Sequence, residues 1–321
     1  MARDLKADHA TLRAVYEAAQ AGNHAEAGSL AEAALAQGLE HPLLLNVAAL
    51  DLERRGLADE ALPLLERAVK IAPEDLGSRN ALGLCLLQLE RPAEALAQFD
   101  ALLALNPSLP YAHTSRGNAL LALGGIADAE SSYRRALDID GNQCVALAGL
   151  AHIESSRGSY PEARQWAKRA LAIVPGYPNA VMSLAAAELG ERRAAAAETR
   201  IRALLADERL TGAEHAHASG LLGDILDAQN RTAEAFDAYT ACNEELQRRH
   251  TERFAGGDNA LNYAQSMLRY FERQGAEGWK SRPAIGPDFS GVRGHVFLLG
   301  FPRSGTTLLE VILEGHPDVV S

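Results

Sequence analysis

The feature that most constrains this chain is an interval of 34 residues that recurs through roughly its first 250 positions. Glu26-Ala27, Glu60-Ala61, Glu94-Ala95, Asp128-Ala129 and Glu162-Ala163 follow one another at that spacing; Ala196-Ala197 takes the next slot, and Glu234-Ala235 comes after four extra residues. Setting repeat starts at 8, 42, 76, 110, 144, 178 and 216 brings other columns into line. Position 8 reads Val15, Ala49, Gly83, Gly117, Ala151, Ala185 and Gly223, nearly all small. Position 20 is Ala in all seven repeats, and position 24 is mostly bulky: Leu65, Phe99, Tyr133, Ile201 and Tyr239. Pro73, Pro107 and Pro175 share position 32, where a helix should stop. Gly22, Gly56, Gly124 and Gly158 share position 15, a turn between two helices. An Ala-rich chain matches one column by chance, but not several unlike columns in one register.

These columns describe a helix–turn–helix unit. Small residues at positions 8 and 20 let helix A approach its own helix B, and the bulky residue at 24 is expected to fill the space against the next repeat. No unit can bury its apolar face alone, so neighbours must stack into a superhelix. A hydrophobic content of 47% with only 5% aromatics agrees with Ala- and Leu-rich helices. The pattern resembles the tetratricopeptide repeat over residues 8–249. It is weaker in the first repeat, which lacks the aromatic and the Pro, and in the sixth, which lacks the acidic residue and the Pro. The expected fold is all-α: a solenoid of about fourteen antiparallel helices in seven pairs, forming a domain over residues 1–249.

Stacked repeats of this kind leave a concave groove lined mainly by helix A, at positions 2, 5, 9, 12 and 13. That face carries Asn46, Asn80, Tyr111, Thr114, Asn118, His152 and Met182. An Asn amide both donates and accepts, so a ladder of them suits the backbone of a bound protein segment; a solvated polar face is the plainer reading of the same residues. His215 and His217 stand two apart on a helix, which points them away from each other and argues against a shared metal ion. Cys242 falls in a small core column, and Cys85 and Cys144 carry no assigned role.

Charge and hydropathy remove several classes. A net charge of −11 with Lys and Arg at only 31 positions argues against nucleic acid, whose binding needs cations to neutralise phosphate. The same balance argues against a basic membrane-surface protein, and no apolar run reaches the length of about 18 residues that a spanning helix needs. The N-terminus is amphipathic and charged throughout, unlike a secretory signal. Three cysteines without metal-ligand spacing leave a reducing cytoplasm as the expected location.

After residue 250 the interval stops. Leu261, Tyr263, Ala264, Met267, Leu268, Tyr270 and Phe271 keep helical spacing, with Asp258 as a cap, and a Pro- and Gly-containing linker follows. Residues 250–294 are thus expected to form a capping helix and a linker. His295 to Leu299 suits a buried parallel strand, Gly300 to Thr306 a turn, and Thr307 to Leu313 a helix. Such a loop gathers free N–H groups and the positive end of a helix dipole, which favours an anion. Gly305 allows close backbone approach, Ser304, Thr306 and Thr307 add hydroxyls, and Arg303 adds a permanent charge. The P-loop pattern is met by Gly300, Gly305 and Thr307, but its Lys slot is Thr306, which speaks against a nucleoside triphosphatase.

"GFPRSGTTLLEVILEGHPDV" resembles the 5′-phosphosulfate loop of sulfotransferases, especially those similar to protein-tyrosine sulfotransferases, and bacterial members with N-terminal tetratricopeptide repeats share the order of parts. The resemblance implies that residues 295–321 begin a sulfotransferase domain. Arg303, Ser304, Gly305, Thr306 and Thr307 would then hold 3′-phosphoadenosine-5′-phosphosulfate, with Arg303 also catalytic by stabilising charge on the sulfuryl group in transit. No metal is implied. The family's general base and 3′-phosphate site find no counterpart before Ser321, so the expectation is the N-terminal part of a longer enzyme, inactive as it stands. Three functions follow: a sulfotransferase whose repeats recruit a protein acceptor, a non-catalytic repeat scaffold for protein–protein interaction, and a nucleotidase or kinase with a degenerate P-loop.

Overall fold

The computed structural model describes residues 5–254 and Arg269. Among the described residues the elements are fourteen α-helices: α1 (Leu5–Gln20), α2 (His24–Ala36), α3 (Pro42–Arg54), α4 (Ala58–Ile71), α5 (Leu76–Gln88), α6 (Pro92–Leu105), α7 (Pro110–Ala122), α8 (Ile126–Ile139), α9 (Cys144–Ser156), α10 (Tyr160–Ile173), α11 (Pro178–Gly190), α12 (Ala194–Leu205), α13 (Gly212–Asp227) and α14 (Thr232–Phe254). Odd-numbered helices are the A helices of the seven repeats and even-numbered ones the B helices. The strand, loop and helix expected at residues 295–321, with Arg303 to Thr307, lie outside the described residues, as does the expected capping segment from Asp258.

Each helix packs on the next in sequence, and each A helix also touches the A helix of the following repeat. No comparable contact joins successive B helices among the described residues. A stack drawn together along one row curves toward that row, so within this unit the A helices line the concave side. An A helix is enclosed by its own B helix, the preceding B helix and its A neighbours, which leaves one face open.

Turn chemistry sets the period. Position 15 takes a positive φ in all seven repeats: Gly22, Gly56, Glu90, Gly124, Gly158, Arg192 and Asn230. Gly adopts this conformation freely and Asn tolerates it, whereas Glu90 and Arg192 hold it at a steric cost. The four extra residues before repeat 7 are absorbed as one more turn of helix. Residues 212–215 extend α13 to 16 residues, against 13 in α11, and its start is fixed by a capping box between Thr211 and Glu214. Four residues nearly equal the 3.6 of a turn, so the stacking face keeps its direction.

The core follows a rule of matched sizes. A Cβ on Gly83 would stand 2.5 Å from the Phe99 ring, one on Gly117 2.5 Å from Tyr133, and one on Gly223 2.4 Å from Tyr239. Every aromatic at position 24 therefore lies over a Gly at position 8 of its own repeat. The position-24 side chain is expected to fill the space against the next repeat, and Tyr133 does this as well: its ring also lies against Gly149 of α9. Phe99 and Tyr133 are the largest fully buried side chains. Repeat 5 has Ala at both positions, and there Ala151 and Ala167 cluster with Leu184 of α11 while Trp166 packs alongside.

The repeats are joined by a second pairing, between position 21 of one B helix and position 14 at the turn of the next repeat. In repeats 2 and 3 the position-21 residues are Leu62 and Leu96, and Leu62 packs on the same core cluster as its counterpart Leu89. From repeat 4 onward the joint is polar. Glu130 meets Arg157 at 2.6 Å and Arg164 meets Glu191 at 3.1 Å. Glu198 accepts from Gln229 at 3.0 Å and from Arg231 at 2.8 Å. The last residue of this column, Phe236 on α14, is 71% exposed.

Candidate functional site

The open face of the A row is the candidate site, and the residues expected there divide into three groups. Asn46 and Asn118 are already engaged within the solenoid. The Nδ2 of Asn46 donates to Ser78 Oγ at 2.7 Å, and Ser78 in turn donates to Asp75, whose carboxylate caps α5. This chain fixes the direction of the Asn46 amide, since the Ser78 proton is committed to Asp75. Its Oδ1, like that of Asn80, is closed off from solvent and receives no hydrogen bond. Asn118 Oδ1 accepts from the Tyr133 hydroxyl at 2.8 Å. A buried tyrosine needs such a partner, and burial pushes the Tyr133 phenol well above its usual range. Tyr239 repeats the device in repeat 7, donating to Asp224 Oδ1 at 2.8 Å. Where position 24 is Tyr, position 9 thus supplies an acceptor; where it is Leu65 or Phe99, position 9 is Leu50 or Leu84.

Thr114 is buried, and its hydroxyl donates to the carbonyl of Pro110 at 3.0 Å. It faces the packed side of α7, one turn into the helix. Met182 is partly buried against the core shared by α11 and α13.

Tyr111 and His152 do stand on the open face. Tyr111 is 38% exposed, and its phenol pKa is raised by desolvation and then by Asp75. Solvent reaches the His152 ring, yet protein surrounds it closely enough for desolvation to lower its pKa, with His217 of α13 adding to the effect. Exposure combined with desolvation is what the floor of a concave surface produces.

The sequence reading passed over the most prominent feature of this face. Tyr16, Leu50 and Leu84 occupy position 9 of the first three repeats and are 53%, 44% and 45% exposed. Their spacing of 34 residues was a visible signal, but bulky apolar residues on a helix read as core until the packing is known. Position 9 then changes character, to Asn118, His152, Ala186 and Asp224. Charge is scarce along the centre of the first half of the face. At positions 2, 5 and 9 of repeats 1 to 3, the only ionisable side chains are His9 and Tyr16, and Glu53 and Arg54 stand at positions 12 and 13 of repeat 2.

No helix among the described residues is long and apolar enough to cross a membrane. Cys85, Cys144 and Cys242 are free thiols. Burial, followed by the nearby Glu53 carboxylate, pushes the Cys85 thiol up to about 12, so it is an inert core residue.

Comparison with known proteins agrees with the helical geometry. The profile of the tetratricopeptide repeat family matches residues 46–110, 80–143, 114–178 and 182–242. Among curated proteins, the chain is 39% identical over 72 residues to the protein CTR9 homolog of Arabidopsis thaliana, covering 22% of this chain and 7% of that one. It is 28% identical over 101 residues to heat shock protein STI1 of Saccharomyces cerevisiae, covering 31% and 17%. The matched stretches are thus small parts of these relatives. A crystal structure of a tetratricopeptide repeat protein from Parabacteroides merdae superposes with a TM-score of 0.58 at 20% identity, covering 75% of this chain and 93% of that one, a likeness of fold. With seven helix pairs in the 34-residue register and the family profile matched over more than half its length, this chain belongs to the tetratricopeptide repeat family.

Proposed function

We propose that the chain is a protein-interaction scaffold that holds a partner protein along the open face of its A helices. The observation that carries this reading is the row at position 9, where Tyr16, Leu50 and Leu84 recur half exposed on the concave side. Ile71, Leu105 and Ile173 form a similarly exposed row at position 30 of the B helices, so what singles out position 9 is its place on the concave side. The free thiols are consistent with a cytoplasmic site of action. The test is photo-crosslinking from single unnatural residues at Asn118, His152 and Ala186 on the open face, against Leu105 and Ile173 on B helices. Partners captured only from the open face are then reconstituted as pure binary complexes. Equal capture from both sets would remove the groove as the binding surface.

A second reading rests on one sequence observation, the run from Pro302 to Thr307 and the "HPDV" that follows it. In this reading the complete protein is a sulfotransferase, and the solenoid presents the acceptor. Arg303 and the hydroxyls of Ser304, Thr306 and Thr307 would bind the phosphosulfate of 3′-phosphoadenosine-5′-phosphosulfate, while Gly305 admits the backbone. Its test is transfer of labelled sulfate by the complete protein to a panel of hydroxyl acceptors. Arg303→Ala is expected to lower turnover about 100-fold or more. Preference for ATP over adenosine 3′,5′-bisphosphate in a binding titration would instead favour a nucleotidase.

A further inference from the structure

We propose that the first half of the groove, across α1, α3 and α5, binds its partner as an amphipathic helix rather than as an extended segment. The inference rests on the protein-binding reading of the open face and names the form of the partner.

Two observations lead to it. The first is what the face offers: three exposed apolar side chains, Tyr16, Leu50 and Leu84, one per A helix. The second is what it withholds. An extended segment has a backbone whose N–H and C=O groups need partners. The amides best placed to serve them are those of Asn46 and Asn80. Asn46 Nδ2 is engaged with Ser78, and both Oδ1 atoms are closed to solvent. Bound there, an extended chain would find no amide acceptor at position 5 for its N–H groups and would meet apolar side chains at position 9. A helix has already satisfied its backbone internally and needs only an apolar stripe.

The dimensions agree. Packed helices lie about 8–10 Å apart, so the three rungs span roughly 16–20 Å, the length of about 11–14 helical residues at 1.5 Å each. Rungs about 10 Å apart meet residues seven apart in the partner, with the intervening i+3 and i+4 residues filling between them. The stripe should be uncharged, since the side chains beneath it at positions 2, 5 and 9 include no carboxylate, Lys or Arg. The partner's outer face should be basic, because the chain carries −11 overall and the encounter is steered by that field.

The probe is a fluorescent 18-residue peptide with Leu at helical spacing and Lys elsewhere, titrated into the whole chain. A peptide of identical composition, rearranged to alternate Leu and Lys, represents the extended form. The helical peptide should bind and gain helical ellipticity, and Leu50→Ser/Leu84→Ser should weaken it at least tenfold. Leu105→Ser, equally exposed but on a B helix, should leave binding unchanged; thermal melts of both variants establish that each is folded. Equal or tighter binding of the alternating peptide would overturn the proposal, as would unchanged binding by the double variant. A dimer in sedimentation that the double variant dissolves would name a second copy as occupant and overturn it too. If crosslinks from Asn118 and His152 still capture a partner after such a result, the scaffold reading stands and this inference alone fails.

Discussion

The two halves of the solenoid share one backbone plan and are held together by different chemistry. Between repeats 2 and 3 the joint positions hold Leu62 and Leu89, which pack on one core cluster; between repeats 4 and 5 Glu130 stands against Arg157, and between repeats 5 and 6 Arg164 against Glu191. The inner face of helix A shifts only in part: position 11 holds the buried Leu52, Leu86 and Leu120, then Glu154 and Glu188, the latter buried and paired with Arg200 at 3.0 Å, before the buried Leu226 in repeat 7. Even the groove changes, from exposed Leu50 and Leu84 to Asn118 and His152. Stacking geometry therefore does not dictate joint chemistry. Any pair that fills the space and satisfies its own polarity serves, and the two solutions should respond differently to their surroundings.

The largest expected effect tests the apolar half. Phe99 is fully buried over Gly83, and Phe99→Ala should cost about 3–5 kcal/mol. Hydrogen exchange should show the opening concentrated in α4 to α7, and uniform loss across α1 to α14 would mean that the two halves unfold as one.

Acid should do the converse. Hydrogen bonds from Arg202 and Gln229, and then from Arg231, hold the Glu198 carboxyl down at about 2, and Arg134 with Arg157 lowers Glu130. A folded pKa below the unfolded value of about 4.3 gives stability that is present above that value and is lost as pH falls toward 2. Several carboxylates protonate together, so the summed effect should exceed that of any single joint. Trp166 in α10 reports on the polar half in a Trp279→Phe background, and its emission should change between pH 4 and 2. Protection factors in α3 to α6, with intrinsic exchange divided out, should hold over the same range. Salt at 1 M, where screening acts within about 3 Å, should mimic this weakly.

A single joint comes next. Glu130→Arg would face Arg134 and Arg157 and should cost about 1–2 kcal/mol in urea melts. Glu130→Arg/Arg157→Glu should recover most of that, and failure to recover would mean that the pair is incidental. Smallest is the turn. Arg192→Gly relieves a φ of 61° and should raise stability by about 0.5–1 kcal/mol, in contrast with Gly158→Ala, which should lower it.

How much of this could be read from the chain depends on distance along it. The 34-residue register, the pairing of helices and the Gly turns are properties of one unit, and each was legible. The turns at Glu90 and Arg192 were not, because those residue types favour helix and only the surrounding repeat forces them left-handed. The joints were hidden for another reason. Positions 21 and 14 of successive repeats stand 27 apart in most of the array and mean nothing until stacked. The expected groove residues were legible only as a face of helix A: Asn46 and Asn118 looked available because Ser78 and Tyr133 are contributed by another helix.

The joint column also bears on how such an array can be shortened or rearranged in descent. Each repeat carries one half of two joints, like a domino. Losing repeat 3 whole would bring Leu62 to Leu123, a pairing of the same kind as the ones it replaces. Losing repeat 4 would set Leu96 against Arg157 and strand a charge on hydrocarbon. Losing repeat 5 would set Glu130 against Glu191, two like charges at a semi-buried contact. Repeat 4, with Leu123 at one end and Glu130 at the other, is the single tile that converts one suit into the other, so repeats 4 and 5 are the internal units whose loss this column resists.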